Sequence, residues 1–179
     1  GQPVRNVLFI QCAGSRDKDH LPYCSGVCCR VSIKQALLVR EMASDVEAYI
    51  LYKDIRSPGQ YEAFYQRAQE DSGIFFTKAE VTGVSNGGKT LKVEAEDSLL
   101  GGKIQVEADL VVLATGMVPN TLDDPPPLDT PLDDFGFIVI GSDKGVIGAG
   151  SALRPFDVSS SIQDATGAAL KAITIGARR

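Results

Sequence analysis

All four cysteines of the chain fall between Cys12 and Cys29, within 18 of its 179 residues. Eleven residues separate Cys12 from Cys24, three separate Cys24 from Cys28, and Cys29 follows directly. Such clustering calls for a common partner: a metal ion, an iron–sulfur cluster, or one another. Four thiolates can make a tetrahedral zinc site, although zinc sites commonly use paired Cys-x-x-Cys knuckles. Adjacent cysteines reach the separate corners of a four-iron cubane more readily than one small ion, and such clusters take four thiolates. Disulfide geometry disfavours a bond between the neighbours Cys28 and Cys29. A redox-active pair among the others and inert buried thiols both remain open. His20 is the single histidine. Histidine-based metal sites and Ser/His or Cys/His catalysis therefore have almost no raw material.

These cysteines need elements to hold them. Residues 4–11 form an apolar run that predicts a buried parallel strand. A helix is expected from Ser25 or Gly26 to about Ala43, with Val27, Val31, Ala36, Leu37, Leu38 and Met42 roughly on one side. Cys28 and Cys29 then lie in its first turn, where the positive end of the helix dipole favours thiolates. Arg16, Lys18 and Arg30 add positive charge nearby. Residues 47–52 read as a second strand, 58–71 as a helix with Tyr61, Phe64, Tyr65 and Ala68 facing the core, and 74–76 as a short third strand. Asp54-Ile55-Arg56 follows the second strand, at the sheet edge where such folds bind ligands. It offers either a structural Asp–Arg pair or a functional one.

From residue 79 the pattern alternates. Segments 79–84, 90–96 and 103–107 are separated by Asn86-Gly87-Gly88 and Gly101-Gly102, which predicts an antiparallel meander. Residues 109–114 return to a fully apolar strand that leads into Thr115-Gly116. The expected fold class is α/β: a three-layer, nucleotide-binding-like domain with a parallel sheet plus an antiparallel β-meander. Residues 123–134 hold five acidic residues and four prolines and read as a linker. Short strands are expected at 137–140 and 145–149, and a last helix at 159–173.

A dinucleotide site of this fold has Gly-x-Gly-x-x-Gly after the first strand, so that backbone can approach a pyrophosphate. Here that place holds Gln11-Cys12-Ala13-Gly14-Ser15-Arg16. The cysteines stand where nicotinamide-cofactor binding is expected to be lost. Gly14 and Ser15 can equally be a plain turn. The net charge of −5 argues against nucleic acid. No apolar run is long enough to span a membrane, so no direct membrane insertion is expected. No secretory leader is expected, and a cytoplasmic, thiol-reducing setting is expected with it.

Several stretches resemble the family of heterodisulfide reductase A subunits and the related flavoproteins of the quinone-interacting oxidoreductase of sulfate reducers. They are the segments around Cys12 and around Cys24–Cys29, Asp54-Ile55-Arg56, residues 95–101, residues 113–119 and residues 157–172. The resemblance implies a thioredoxin reductase-type inserted domain over residues 1–118. The C-terminal part of an FAD-binding domain would follow over 119–179, without its N-terminal half. It implies Cys12, Cys24, Cys28 and Cys29 as ligands of a [4Fe–4S] cluster beside a flavin. It further implies FAD contacts at Thr115, Gly116, Gly148, Ala149, Gly150, Ser161, Gln163 and Asp164. Gly148-Ala149-Gly150 stands where related flavoproteins carry Gly-Asp, and the Asp is missing. The last helix could face the flavin pyrimidine with its N-terminus.

The implied activity is that of an oxidoreductase component passing electrons between FAD and clusters, with other redox subunits as partners and a homodimer as a further assembly. A fragment of this kind is expected to be inactive alone. Two alternatives come from other classes: a zinc-stabilised, non-catalytic assembly domain, and a thiol–disulfide oxidoreductase of thioredoxin reductase type.

Overall fold

The computed structural model describes residues 3–139 and 145–177. The chain divides into two compact units: residues 1–23 with 28–116, and residues 24–27 with 117–179.

The first unit is built on one six-stranded sheet. Its strands are β1 (Asn6–Ile10), β2 (Glu47–Tyr52), β3 (Ile74–Asn86), β4 (Leu91–Asp97), β5 (Lys103–Ala108) and β6 (Leu110–Leu113), in the order β5-β4-β3-β2-β1-β6. β1 pairs in parallel with β2 and β6, and β2 with β3, while β3–β4 and β4–β5 are antiparallel. Helices α1 (Cys28–Met42) and α2 (Tyr61–Glu70) make the crossovers.

Strand side chains alternate between faces, and the core divides accordingly. Val7, Phe9, Ala48 and Ile50 pack with Ile33, Ala36 and Leu37 of α1 and Ala68 of α2. Leu8, Ile10 and Leu51 pack on the opposite face with Ala79, Val93, Ala95 and Ala108 of the meander. Helices, parallel sheet and meander thus form the three layers read from the sequence.

Local differences have identifiable causes. The short third strand and the first meander strand are one strand, β3, which pairs with β2 from Ile74 to Lys78 and with β4 from Ala79 onward. The change from an apolar to an alternating pattern marks a change of burial within one strand. A register shift between Val81 and Gly83 bends it. α1 begins at Cys28, later than expected, because Gly26 has φ +69° and cannot join a right-handed helix. Its buried face is Cys29, Ser32, Ile33, Ala36 and Leu37. Val31, Leu38 and Met42, expected on one apolar side with Ala36 and Leu37, are exposed, Met42 to 87%. α2 begins at Tyr61, after Gly59 at φ +65°, and ends where Asp71 turns extended. Ala68 is buried, Phe64 and Tyr65 pack on the core, and Tyr61 is exposed on its rim.

The second unit is mostly irregular. Short 3-10 turns span Asn120–Leu122 and Gly150–Ala152, and α3 runs Val158–Gly176. In place of the expected strands at 137–140 and 145–149, the described residues show only an isolated bridge between Leu132 and Ile138. Ile140 lies outside the described residues. α3 starts earlier than expected because Asp157 caps it, accepting from Ser160 N at 2.7 Å. It continues beyond Ile173 to Gly176, with Gly167 in its interior. None of its described side chains is buried. Among the described residues, no helix is long and apolar enough to cross a membrane.

Candidate functional site

β1 delivers the chain to the cysteine loop at the carboxyl edge of the sheet. Gln11 N still donates to Leu51 O at 2.9 Å, but the next residues leave the strand sharply. Cys12 has φ 56° and Arg16 φ 55°. Left-handed backbone at non-glycine positions costs about 1–3 kcal/mol each and is typical of functional loops. Ser15 N donates to Cys12 O at 3.1 Å, Leu21 N to Gly14 O at 3.2 Å, and Arg16 N to Tyr23 O at 3.1 Å, which closes the loop on itself. Ser15 is buried, and its hydroxyl donates to Thr115 O at 3.0 Å. Gly14-Ser15 is therefore more than a turn: it ties the cysteine loop to the exit of β6.

Two side chains of this loop have surroundings that their positions in the sequence do not announce. Gln11 is only 4% exposed, and both its Oε1 and its Nε2 are buried with no hydrogen-bond partner. Arg16 Nη1 is also buried without a partner. Its other terminal nitrogen, Nη2, donates to Asp54 Oδ2 at 2.7 Å, and Lys78 Nζ lies 3.5 Å from Asp54 Oδ1. Asp54 thus pairs with Arg16 across the sheet edge, and the pairing suggested by Asp54-Ile55-Arg56 is replaced by one between separate loops. The hydrogen bond to Asp54 raises the Arg16 pKa; burial opposes this, and the proximity of Cys12 adds to it. Arg16 in turn lowers the Asp54 pKa.

The same residue touches a second cysteine. Cys29 Sγ donates to Asp54 O at 3.7 Å. Cys28 and Cys29 are the first two residues of α1, where the helix's own ladder leaves N–H groups over and its dipole is positive. That end favours thiolate over thiol. Cys24 belongs to the second unit, with Gly26 N donating to its Sγ at 3.4 Å. Ser25, also there, is buried and its Oγ accepts from Met117 N at 2.9 Å. None of the four cysteines is in a disulfide; Cys29 is buried and the others are partly exposed. Of the expected positive residues, Lys18 is exposed and Arg30 lies over the Tyr61 ring at 4.5 Å. His20 is an exposed loop residue.

Whether this donor set suits an iron–sulfur group can be tested on its chemistry. Four thiols stand on one short stretch, and unsatisfied buried donors of Gln11 and Arg16 flank the first of them. Sulfur ligated to iron accepts such donors. The fit is chemical, not preassembled: among the described residues, no three His, Cys, Asp or Glu side chains are placed to hold a metal ion.

The residues expected at a flavin behave differently. Thr115 follows β6, and Gly116 has φ 102°. In the second unit, Gly150 N donates to Asp164 Oδ2 at 2.7 Å, and a Cβ on Gly150 would stand 3.2 Å from Ser161 Cβ. A Cβ on Gly148 would stand 2.6 Å from Leu153 Cδ2. The left-handed φ of 60° at Gly150 favours glycine there, a side chain at 148 would have to displace Leu153 and Ile138, and Asp164 is engaged in holding the 148–150 turn. Ala149 lies within that turn, whereas Gln163 is exposed on α3.

No family model matches the chain. Curated relatives do. It is 36% identical, over 97% of its length, to the iron–sulfur A 2 subunit of CoB–CoM heterodisulfide reductase from Methanopyrus kandleri. It is 38% identical, over 94%, to the iron–sulfur A subunit from Methanocaldococcus jannaschii. It is also 38% identical, over 96%, to the A subunit of the H2:CoB–CoM heterodisulfide, ferredoxin reductase from Methanothermobacter marburgensis. The chain spans 28–29% of the length of these relatives. Among solved structures it resembles thioredoxin reductase of T. acidophilum, with 21% identity, TM-score 0.57, and 96% of this chain and 53% of that one covered. It also resembles that of Lactococcus lactis, with 14% identity, TM-score 0.61, and coverage of 98% and 54%. These likenesses establish a thioredoxin reductase-like fold.

Proposed function

We propose that this chain, homologous to a segment of the heterodisulfide reductase A subunit, is part of an iron–sulfur flavoprotein oxidoreductase that passes electrons between FAD and iron–sulfur clusters. Cys12, Cys24, Cys28 and Cys29 would ligate a [4Fe–4S] cluster. The observation that carries this reading is the set of four thiols within 18 residues, none in a disulfide. It is supported by curated relatives named iron–sulfur subunits. The cluster would supply one-electron storage, and the chain's own task is to position it and tune it. The positive end of α1 favours Cys28 and Cys29 as thiolates, and burial of Cys29 limits access of water.

FAD would complete the full-length protein. Thr115, Gly116, Gly148, Ala149, Gly150, Ser161, Gln163 and Asp164 form this chain's share of its site. Asp164 fixes the 148–150 turn, and Ser161 packs beside it. The rest of the flavin site would come from chain beyond this segment, which accords with the exposed apolar residues Ile162, Leu170 and Ile173 of α3. Partner redox subunits would provide donor and acceptor, in a cytoplasmic complex where thiols stay reduced.

The test is iron and acid-labile sulfide per chain, with an absorption spectrum, on protein prepared without oxygen. About four of each, lost in Cys24→Ala or Cys28→Ala, supports the reading. One zinc per chain overturns it in favour of an assembly domain. A reducible disulfide with neither metal after reconstitution overturns it in favour of a thiol–disulfide oxidoreductase.

A further inference from the structure

The Arg16–Asp54 pair lies outside every ligand set considered above, yet it touches the cysteine site at two points. In the iron-free chain Asp54 accepts from the Cys29 thiol through its backbone carbonyl, a bond that ends when Cys29 becomes a thiolate, and it holds Arg16 through its carboxylate in either state. One nitrogen of Arg16 is thereby fixed, and the other, Nη1, is left buried and without a partner. A buried charged donor with nothing to bond is expensive, and native structures rarely tolerate one without a group that completes it. Gln11, the residue before Cys12, independently has both amide atoms buried without a partner. Cys12 and Arg16 also carry strained left-handed backbone, which persists only because the surrounding loop contacts impose it.

We propose that Arg16, anchored by Asp54, is a positioning residue for the cluster that donates Nη1–H to the Cys12 sulfur when that sulfur carries iron, with the Gln11 amide as the second donor. This inference rests on the iron–sulfur reading above. Solvent exposure of Cys12 would otherwise leave its sulfur to water; a fixed guanidinium instead presents a permanent positive charge and a directed N–H. Both favour the more negative, reduced state of the cluster. Lys78, 3.5 Å from Asp54 Oδ1, shares that carboxylate and keeps it from cancelling the Arg16 charge fully.

The test compares reduction potentials, followed by absorption or electron paramagnetic resonance, for the intact chain and for Arg16→Gln and Arg16→Lys, each at confirmed iron and sulfide content. Arg16→Gln is expected to shift the reduction equilibrium at least tenfold toward the oxidised state, which is about 59 mV for a one-electron couple. Arg16→Lys retains the charge and is expected to recover at least half of that shift. A fully loaded Arg16→Gln variant at the original potential overturns this inference while the cluster reading stands. An unaltered chain without iron and sulfide overturns both. Should the variants fail to hold a cluster, the unaltered protein decides the matter. With 15N-labelled arginine, pulsed resonance of the reduced cluster is expected to show a nitrogen coupling, and its absence overturns the proposal.

Discussion

Replacing Gln11 by Leu should act in opposite directions on the empty and the loaded protein. The side chain is only 4% exposed, and neither its carbonyl oxygen nor its amide nitrogen has a partner. Leaving buried polar atoms unsatisfied costs about 1–3 kcal/mol, whereas an apolar group of similar shape has no such penalty. Leucine has nearly the volume of glutamine, so the substitution adds little strain. In the metal-free chain, Gln11→Leu should therefore stabilise by about 2 kcal/mol. For a chain of this size that raises Tm by about 4–8 °C, measurable by calorimetry or circular dichroism. In the loaded chain the same change would remove the proposed second donor to the Cys12 sulfur. Iron should then be lost to a chelator at least severalfold faster than from the unaltered protein. An unchanged or lowered Tm of the metal-free variant would refute the reasoning, because it would mean that the amide is satisfied after all.

Other perturbations test the frame around the site. Arg40 binds Asp71 Oδ1 at 2.9 Å and Val46 O at 2.8 Å, and a Cβ on Gly73 would stand 2.3 Å from Arg40 Cζ; Gly73→Ala should therefore displace a pinned side chain and destabilise by about 1–3 kcal/mol in denaturant titrations. Asp71 has a lowered pKa, first through its bond from Gly73 N and then through Arg40. Its contribution is complete above the unfolded carboxylate range near about 4 and is lost as pH falls through the lower folded value. Asp71→Asn should accordingly flatten the acid limb of the stability profile. Tyr49 donates to Glu47 Oε2 at 2.5 Å, and this bond, then burial, raises its pKa to about 12. Its stabilising effect is present below about pH 10 and disappears as pH rises through 12; in a phenolate absorbance titration, one tyrosine should ionise near 12 and vanish in Tyr49→Phe. Asp157→Ala should remove the α3 cap at a cost of about 1 kcal/mol, seen as a loss of helical signal on mild heating.

Layer order was legible in the sequence because period and composition report burial directly. The alternation of Val7 and Phe9 against Leu8 and Ile10 sends one pair to the helices and the other to the meander. Boundaries were less legible. Ile74 to Asn86 changes pattern in mid-strand, and no glycine or proline marks where one pairing partner gives way to another. On α1, Val31, Leu38 and Met42 are as apolar as the residues that pack, and only the tertiary context selects Cys29, Ile33 and Leu37 instead.

The site divides along the same line. Cysteine spacing is a local property and could be read. The pairing of Arg16 with Asp54 spans 38 positions and competes in the sequence with the nearer Arg56, so it could not. Gln11 did carry a signal: it is a long polar residue at the end of an apolar run destined for burial, where nothing in the strand itself can satisfy it. A polar residue in that place is costly unless a neighbouring group completes it, and on the proposal above that group is the iron-bound sulfur of Cys12. The same reasoning applies to Arg16, a partly exposed loop residue whose Nη1 is nevertheless buried without a partner. On the proposal above, a bonded Cys12 sulfur would complete both costly features, which the stability of the loop alone does not account for.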